Sequence, residues 1–253
     1  METIYIPEKY RILDGAALKM IAIVTMFIDH AAKGILYYGY LIPRRPVSQG
    51  TSLYTIYQFY RILRGIGRIA FPIFCFFLVQ GFLYTRSRLK YALRLFIFAL
   101  ISEFPFDIAL YQKWIYRSHQ NVYFTLLIGV LMLWAFEWIG EHVRASYPMV
   151  FLQAAAVGAL MYLSYIMHTD YNYKGLILIL TFYLLRFHHP LAVTGGAVAM
   201  CWEWPYVLLA FPPLLLYNGK RGRQNKYFFY VFYPAHRLLI YFIRLFMLAA
   251  FPA

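Results

Sequence analysis

An all-α, polytopic integral membrane protein is the fold class this sequence predicts, and three observations predict it. Hydrophobic residues make up 62% of the 253 positions and charged ones only 13%, a balance unlike that of a soluble globular domain. Apolar runs long enough to cross a bilayer, roughly 20 residues at 1.5 Å each, recur along the chain. Cations gather in short polar segments such as RSRLK and NGKRGRQNK, as the positive-inside bias of membrane proteins requires. The formal net charge of +14 is therefore read as loop charge rather than as affinity for nucleic acid. With no long polar stretch, residues 1–253 are expected to form a single membrane domain of about nine transmembrane or re-entrant helices.

The first helix is expected over residues 16–42, behind Asp14, whose carboxylate suits a helix N-cap. METIYIPEKYRILDG before it is mixed in charge, so no cleavable leader is expected. Pro43 and Pro46 end this helix. The second is expected to begin near Gln58 and is apolar from Ile66 to Thr85; Arg86, Arg88 and Lys90 then separate it from a third over residues 91–111. Two helices ahead of that basic turn place the N-terminus in the cytoplasm.

VYFTLLIGVLMLWAFEWIG gives a fourth helix and residues 147–167 a fifth. Three short apolar runs follow: residues 175–187, the run from Pro190 to Trp202, and residues 205–217. Hydropathy leaves them open as thin spans, tilted pairs or re-entrant segments. After Lys220, Arg221, Arg223 and Lys226 a last helix is expected over residues 227–251. Cys75 and Cys201 both lie in apolar segments and are expected as buried small hydrophobes, with no metal cluster.

Ionisable residues inside apolar segments are costly, so each is a candidate for function. The first helix carries Lys19, Asp29, His30 and Lys33. Lys19 and His30 are eleven positions apart, which returns to within about 20° of the same face, roughly 16 Å further along. One face thus carries a cation near one surface and a titratable base deep inside. Asp29 and Lys33, four apart, are spaced to neutralise each other, and the spacing leaves that role and a functional one open.

Arg61, Arg64 and Arg68 share a helix face and suit phosphate, whether of lipid or of a substrate. Glu103 and Asp107 flank Pro105 and either pair with those arginines or orient His30. His119, Asn121, His168 and Asp170 fall beside the outer helix ends, and His236 lies within the last helix. No Gly-rich phosphate loop or Ser-centred nucleophile elbow is present.

Several blocks, in order, resemble the TraX family of bacterial membrane proteins: LDGAALKMIAIVTMFIDH, GRIAFPIFCFFLVQGFLYTRSRLKYALRLFIFALISEFPFD, QNVYFTLLIGVL, DYNYKG, LLLYNGKRG and FYPAH. The resemblance implies a multi-pass protein of the bacterial inner membrane that moves an acyl group, acetyl above all, from cytoplasmic acyl-CoA to an outward-facing amine or hydroxyl. It implies His30 as general base or acyl carrier and acetyl-CoA as acyl donor held by Lys19, Arg64 and Arg68, while Asp29, Glu103 and Asp107 are the carboxylates that the residues themselves offer beside that histidine. A basic residue, ten others and a histidine on the first helix recur in the wider transmembrane acyltransferase class, and Lys19 to His30 is similar to that pattern. His236, Asn121 and Asp170 are then expected on the acceptor side, Asn121 either at the thioester oxygen or as a helix cap. A pilin N-terminus, an envelope glycan and a lipid headgroup all fit as acceptor. The reading from another class is a proton-coupled small-solute transporter with Asp29, His30, Glu103 and Asp107 as its relay.

Overall fold

The computed structural model describes residues 7–203 and 205–250, and among them helix is the only extended regular structure. The expected end of the last helix at Phe251 and the start of the leader reading fall outside the described residues. Asp14 does cap the first helix: its Oδ1 accepts from the Ala17 amide at 2.8 Å, satisfying a donor the first turn leaves orphaned. That helix, α1 (Gly15–Ala31), runs directly into a π-helical stretch, Ala32–Leu41, where the Ile42 amide reaches back to the Tyr37 carbonyl at 2.9 Å.

The second helix starts earlier than expected. α2 (Ser52–Gly67) is capped by Thr51, whose hydroxyl accepts from the Tyr54 amide at 3.3 Å. Its apolar residues fall on one face, and hydropathy averaged around the helix hides such a beginning. A turn at Arg68 and Ile69 divides it from α3 (Ala70–Tyr84). α4 (Arg88–Leu110), α5 (Val122–His142) and α6 (Ser146–Ile166) follow.

The three short apolar runs become α7 (Asn172–Leu184), α8 (His189–Ala199) and a 3-10 turn, Tyr206–Ala210, leading into α9 (Phe211–Leu215). α7 and α8, 13 and 11 residues long, fall short of the roughly 20 that a straight crossing needs. α10 (Lys226–Ala250) closes the described chain. Among the described residues, five helical stretches are long and apolar enough to cross a membrane: Gly15–Leu41, Ser52–Tyr84, Val122–His142, Ser146–Ile166 and Tyr227–Ala250. The chain is thus a multi-pass helical membrane bundle. α4 has the length, but Arg88, Lys90, Arg94, Glu103 and Asp107 reduce its apolar character.

Packing groups the described residues into two compact units. The first comprises residues 75–103 and 116–200. In it α5 packs against α6 and α7, and α7 against α8. Glu137 on α5 accepts from Arg88 and, at 2.7 Å, from the Tyr183 hydroxyl, so its carboxylate is matched inside the unit. Asn121 caps α5 by accepting from the Tyr123 amide at 3.0 Å, and its amide nitrogen donates to the Ala99 carbonyl at 2.8 Å and to Glu103.

The second unit comprises the described residues of 6–74, 104–115 and 201–253. α1 packs against α2 and α10, and the π-helical stretch packs against the same two. Close approach of α1 and α2 depends on Gly67: a Cβ there would sit 2.1 Å from the Asp29 Cβ. Arg244 on α10 donates to the carbonyls of Ala109 at 2.6 Å and Ile108 at 2.8 Å, closing orphaned acceptors at the end of α4. Cys201 departs from expectation, for it is exposed in the 3-10 turn that follows α8, whereas Cys75 is buried as expected.

Candidate active site

Four helical segments of the second unit bring ionisable side chains together. α1 places Asp29 and His30 on consecutive positions, both buried, at the point where its turns begin to widen. α2 contributes Arg64, which donates to Asp29 Oδ2. α10 contributes Tyr233, His236 and Arg237 from successive turns of one face. Phe106, from the last turns of α4, lies 4.7 Å beneath the Arg237 guanidinium.

The hydrogen bonds among these groups fix their protons. Arg237 has only donors, so its Nη2, 2.8 Å from His30 Nε2, requires a lone pair on that nitrogen. His30 is therefore neutral and carries its proton on Nδ1, which donates to His236 Nε2 at 2.6 Å. His236 must then hold its own proton on Nδ1, and the Phe232 carbonyl accepts it at 2.6 Å. The two imidazoles lie nearly parallel, with centroids 4.9 Å apart. Asp29 Oδ2 stands 3.7 Å from His30 Nε2, too far for a hydrogen bond and with no proton between two acceptors.

The result is a chain of defined polarity, from the guanidinium through two neutral imidazoles to a backbone carbonyl. It holds a buried imidazole whose lone pair is on Nε2. His236, expected on the acceptor side, accepts from His30 Nδ1.

Lys19 sits at the other end of the α1 face. Its Nζ donates to Gln224 Oε1 at 2.9 Å, inside the basic loop that precedes α10. The Gly15 amide donating to the Lys220 carbonyl at 2.8 Å ties the same loop to the start of α1. Lys19 and His30 both meet α10, Lys19 through its ammonium 5.6 Å over the Phe229 ring and His30 through His236. Lys33, four residues after Asp29, has its ammonium 4.9 Å over the Tyr111 ring, and Asp29 forms an ion pair with Arg64.

Arg61, Arg64 and Arg68 line one cleft of about 490 Å³ together with Trp202, Glu203 and Tyr206, and Arg68 stands 3.8 Å from Glu203. A Cβ on Gly65 would meet the Tyr206 ring at 2.5 Å, so glycine there lets the aromatic wall close in. Asp107 is buried in this unit. Glu103 belongs to the other unit with Asn121, and Asp170 stands 3.8 Å from His119 there. No group of three or more potential metal ligands occurs among the described residues.

Sequence reasoning missed Tyr233, Arg237 and Arg244. The signal was present: two arginines seven positions apart in an apolar helix share a face and must find partners.

The fold and this buried cluster define a polytopic helical membrane protein with a histidine-centred polar site. The chain belongs to the TraX family, whose model, described as TraX protein, matches residues 14–244. It is also similar to the probable fimbrial assembly protein FimC, serogroup H1, of Dichelobacter nodosus, with 29% identity over 268 aligned residues that cover 91% of this chain and 95% of that protein. No solved structure matches it.

Proposed function

We propose that the protein is a membrane acyltransferase that moves an acetyl group from acetyl-CoA to an amine or hydroxyl beyond the opposite membrane face, with His30 as general base. The observation that carries this reading is the proton pattern at His30: a neutral imidazole, buried, oriented through Nδ1 by His236 and with its basic lone pair on Nε2. An amine or hydroxyl attacking a thioester must lose a proton, and a positioned base contributes roughly 10²- to 10⁴-fold to such a step. Arg64 holds the neighbouring carboxylate of Asp29, which keeps a negative charge beside the imidazole as it becomes a cation.

The donor end follows the charge. Lys19 and the basic loop with Lys220, Arg221 and Arg223 suit the phosphates of the donor, and the apolar length of α1 between Lys19 and His30 suits its thin arm. Arg68, on the Arg61 and Arg64 face, is assigned to anion binding in the same reaction. The basic loops support a cytoplasmic location for this end and for the N-terminus with it, in a bacterial inner membrane. FimC is by its name a fimbrial assembly protein, so a pilin N-terminus is the first acceptor to test here, ahead of a glycan hydroxyl or a lipid headgroup.

The test is release of CoA from acetyl-CoA by purified protein supplied with envelope extract. Release that needs the extract and is lost in His30→Ala supports the assignment; full release by that variant overturns it. The relay reading gains less support, because the Glu103 carboxylate accepts from the side chain of Asn121, the residue that caps α5.

A further inference from the structure

The Arg237 guanidinium is 1% exposed and carries five N–H donors. Both donors of Nη2 are used, on His30 Nε2 at 2.8 Å and on the Tyr233 hydroxyl at 3.0 Å. Nε and Nη1 are buried and donate to no acceptor among the described residues. The ring faces of Phe106 and Tyr233, 4.7 and 4.8 Å from the guanidinium carbon, stabilise the cation but accept none of its in-plane N–H groups. Leaving a buried charged donor without an oxygen is costly, so the position calls for an acceptor supplied from outside the chain.

Arg244, seven residues further along the same helix, is the internal control. It spends Nη1 and Nη2 on two backbone carbonyls, as an arginine with a purely structural task does.

Arg237 also covers the lone pair that His30 needs. While Nη2 donates to Nε2, the imidazole is a blocked base. We propose that Arg237 is a further catalytic residue, which binds the carbonyl oxygen of the acyl thioester and in doing so uncovers His30. This rests on the acyltransfer reading.

In the step, the lone pair of the acceptor nitrogen or oxygen forms a bond to the carbonyl carbon. Its proton passes to His30 Nε2, and the charge that gathers on the carbonyl oxygen is held by Arg237 N–H groups. When the carbon–sulfur bond breaks, the sulfur leaves with the electron pair and takes the proton from His30 Nε2. The products are the acylated acceptor and a free thiol, with His30 neutral and Arg237 unchanged. His236 accepts the Nδ1 proton of His30 throughout. Donor binding and activation of the base are therefore one event.

The test compares wild type, His30→Ala, Arg237→Gln and Arg237→Lys for CoA release from acetyl-CoA with envelope extract, with melting temperature and gel-filtration profile recorded for each. Arg237→Gln is expected to lose about 10²- to 10³-fold in kcat, the size of losing one oxyanion donor, with KM for acetyl-CoA changed less than about threefold. Arg237→Lys, which keeps the charge but not the planar fork, is expected to fall between Arg237→Gln and wild type. If Arg237→Gln fails to fold, a tenfold or larger kcat loss in a folded Arg237→Lys carries the proposal. Wild-type kcat in whichever variant folds, alongside an inactive His30→Ala, overturns it and leaves the acyltransfer reading standing. No CoA release by folded wild type overturns that reading, and this proposal with it.

Discussion

Asn121 in one unit and Arg237 in the other are both almost wholly buried polar residues, yet they spend their hydrogen bonds in opposite ways. Asn121 uses its oxygen on the Tyr123 amide and its nitrogen on Ala99 and Glu103, so it closes a helix start and joins it to α4. Glu137, Arg88 and Tyr183 form a second matched set in the same unit. Around His30 the matching stops short: one imidazole lone pair is held by a guanidinium whose Nε and Nη1 meet no acceptor among the described residues. Matched networks hold a fold together, and a network with directed donors left over is built for something that arrives.

Substitutions at four positions break or sharpen that contrast. The largest effect is expected from His30→Ala, which should lower kcat/KM for CoA release by about 10²- to 10⁴-fold while membrane abundance stays at the wild-type level. His236→Phe comes next. It removes the acceptor that orients His30 and should cost between about tenfold and the roughly 10⁴-fold seen when an orienting group in a catalytic triad is changed. His236→Gln, whose side-chain carbonyl can still accept from Nδ1, should recover part of the loss, and equal losses in the two variants would remove His236 from the orienting role.

Gly67→Ala sets a methyl group against Asp29 and should lower stability by about 1–3 kcal/mol, read as melting temperature in detergent. Asn121→Ala removes a cap and should cost about 0.5–2 kcal/mol by the same measurement. A fall in turnover at unchanged melting would instead return Asn121 to the donor-binding role.

The elements were largely legible because helix length, proline stops and capping residues are local signals. Asp14 is followed by its helix as its type demands, and the runs after Asn121 and Ser146 form where hydropathy places them. The α2 start was hidden by its one-sided pattern, and nothing in AKGILYYGYL marks a π-helical stretch. In the site, Lys19, Asp29 and His30 stood out as charges within one apolar helix. Their partners did not, because His30 and His236 are 206 positions apart and no spacing rule connects them. Arg237 was readable as an isolated charge, but which of its donors lack an acceptor depends on the packing of three helices.

The contact between Gly67 and Asp29 has a consequence for how this chain can change over time. The Asp29 side chain, from the neighbouring helix, already fills the space that a single extra methyl group at residue 67 would need. Any drift toward a larger residue at 67 therefore has to be matched by a shorter or displaced side chain at 29, and displacing 29 releases Arg64. Positions 29, 64 and 67 are bound into one heritable unit, and related sequences should vary there together or not at all.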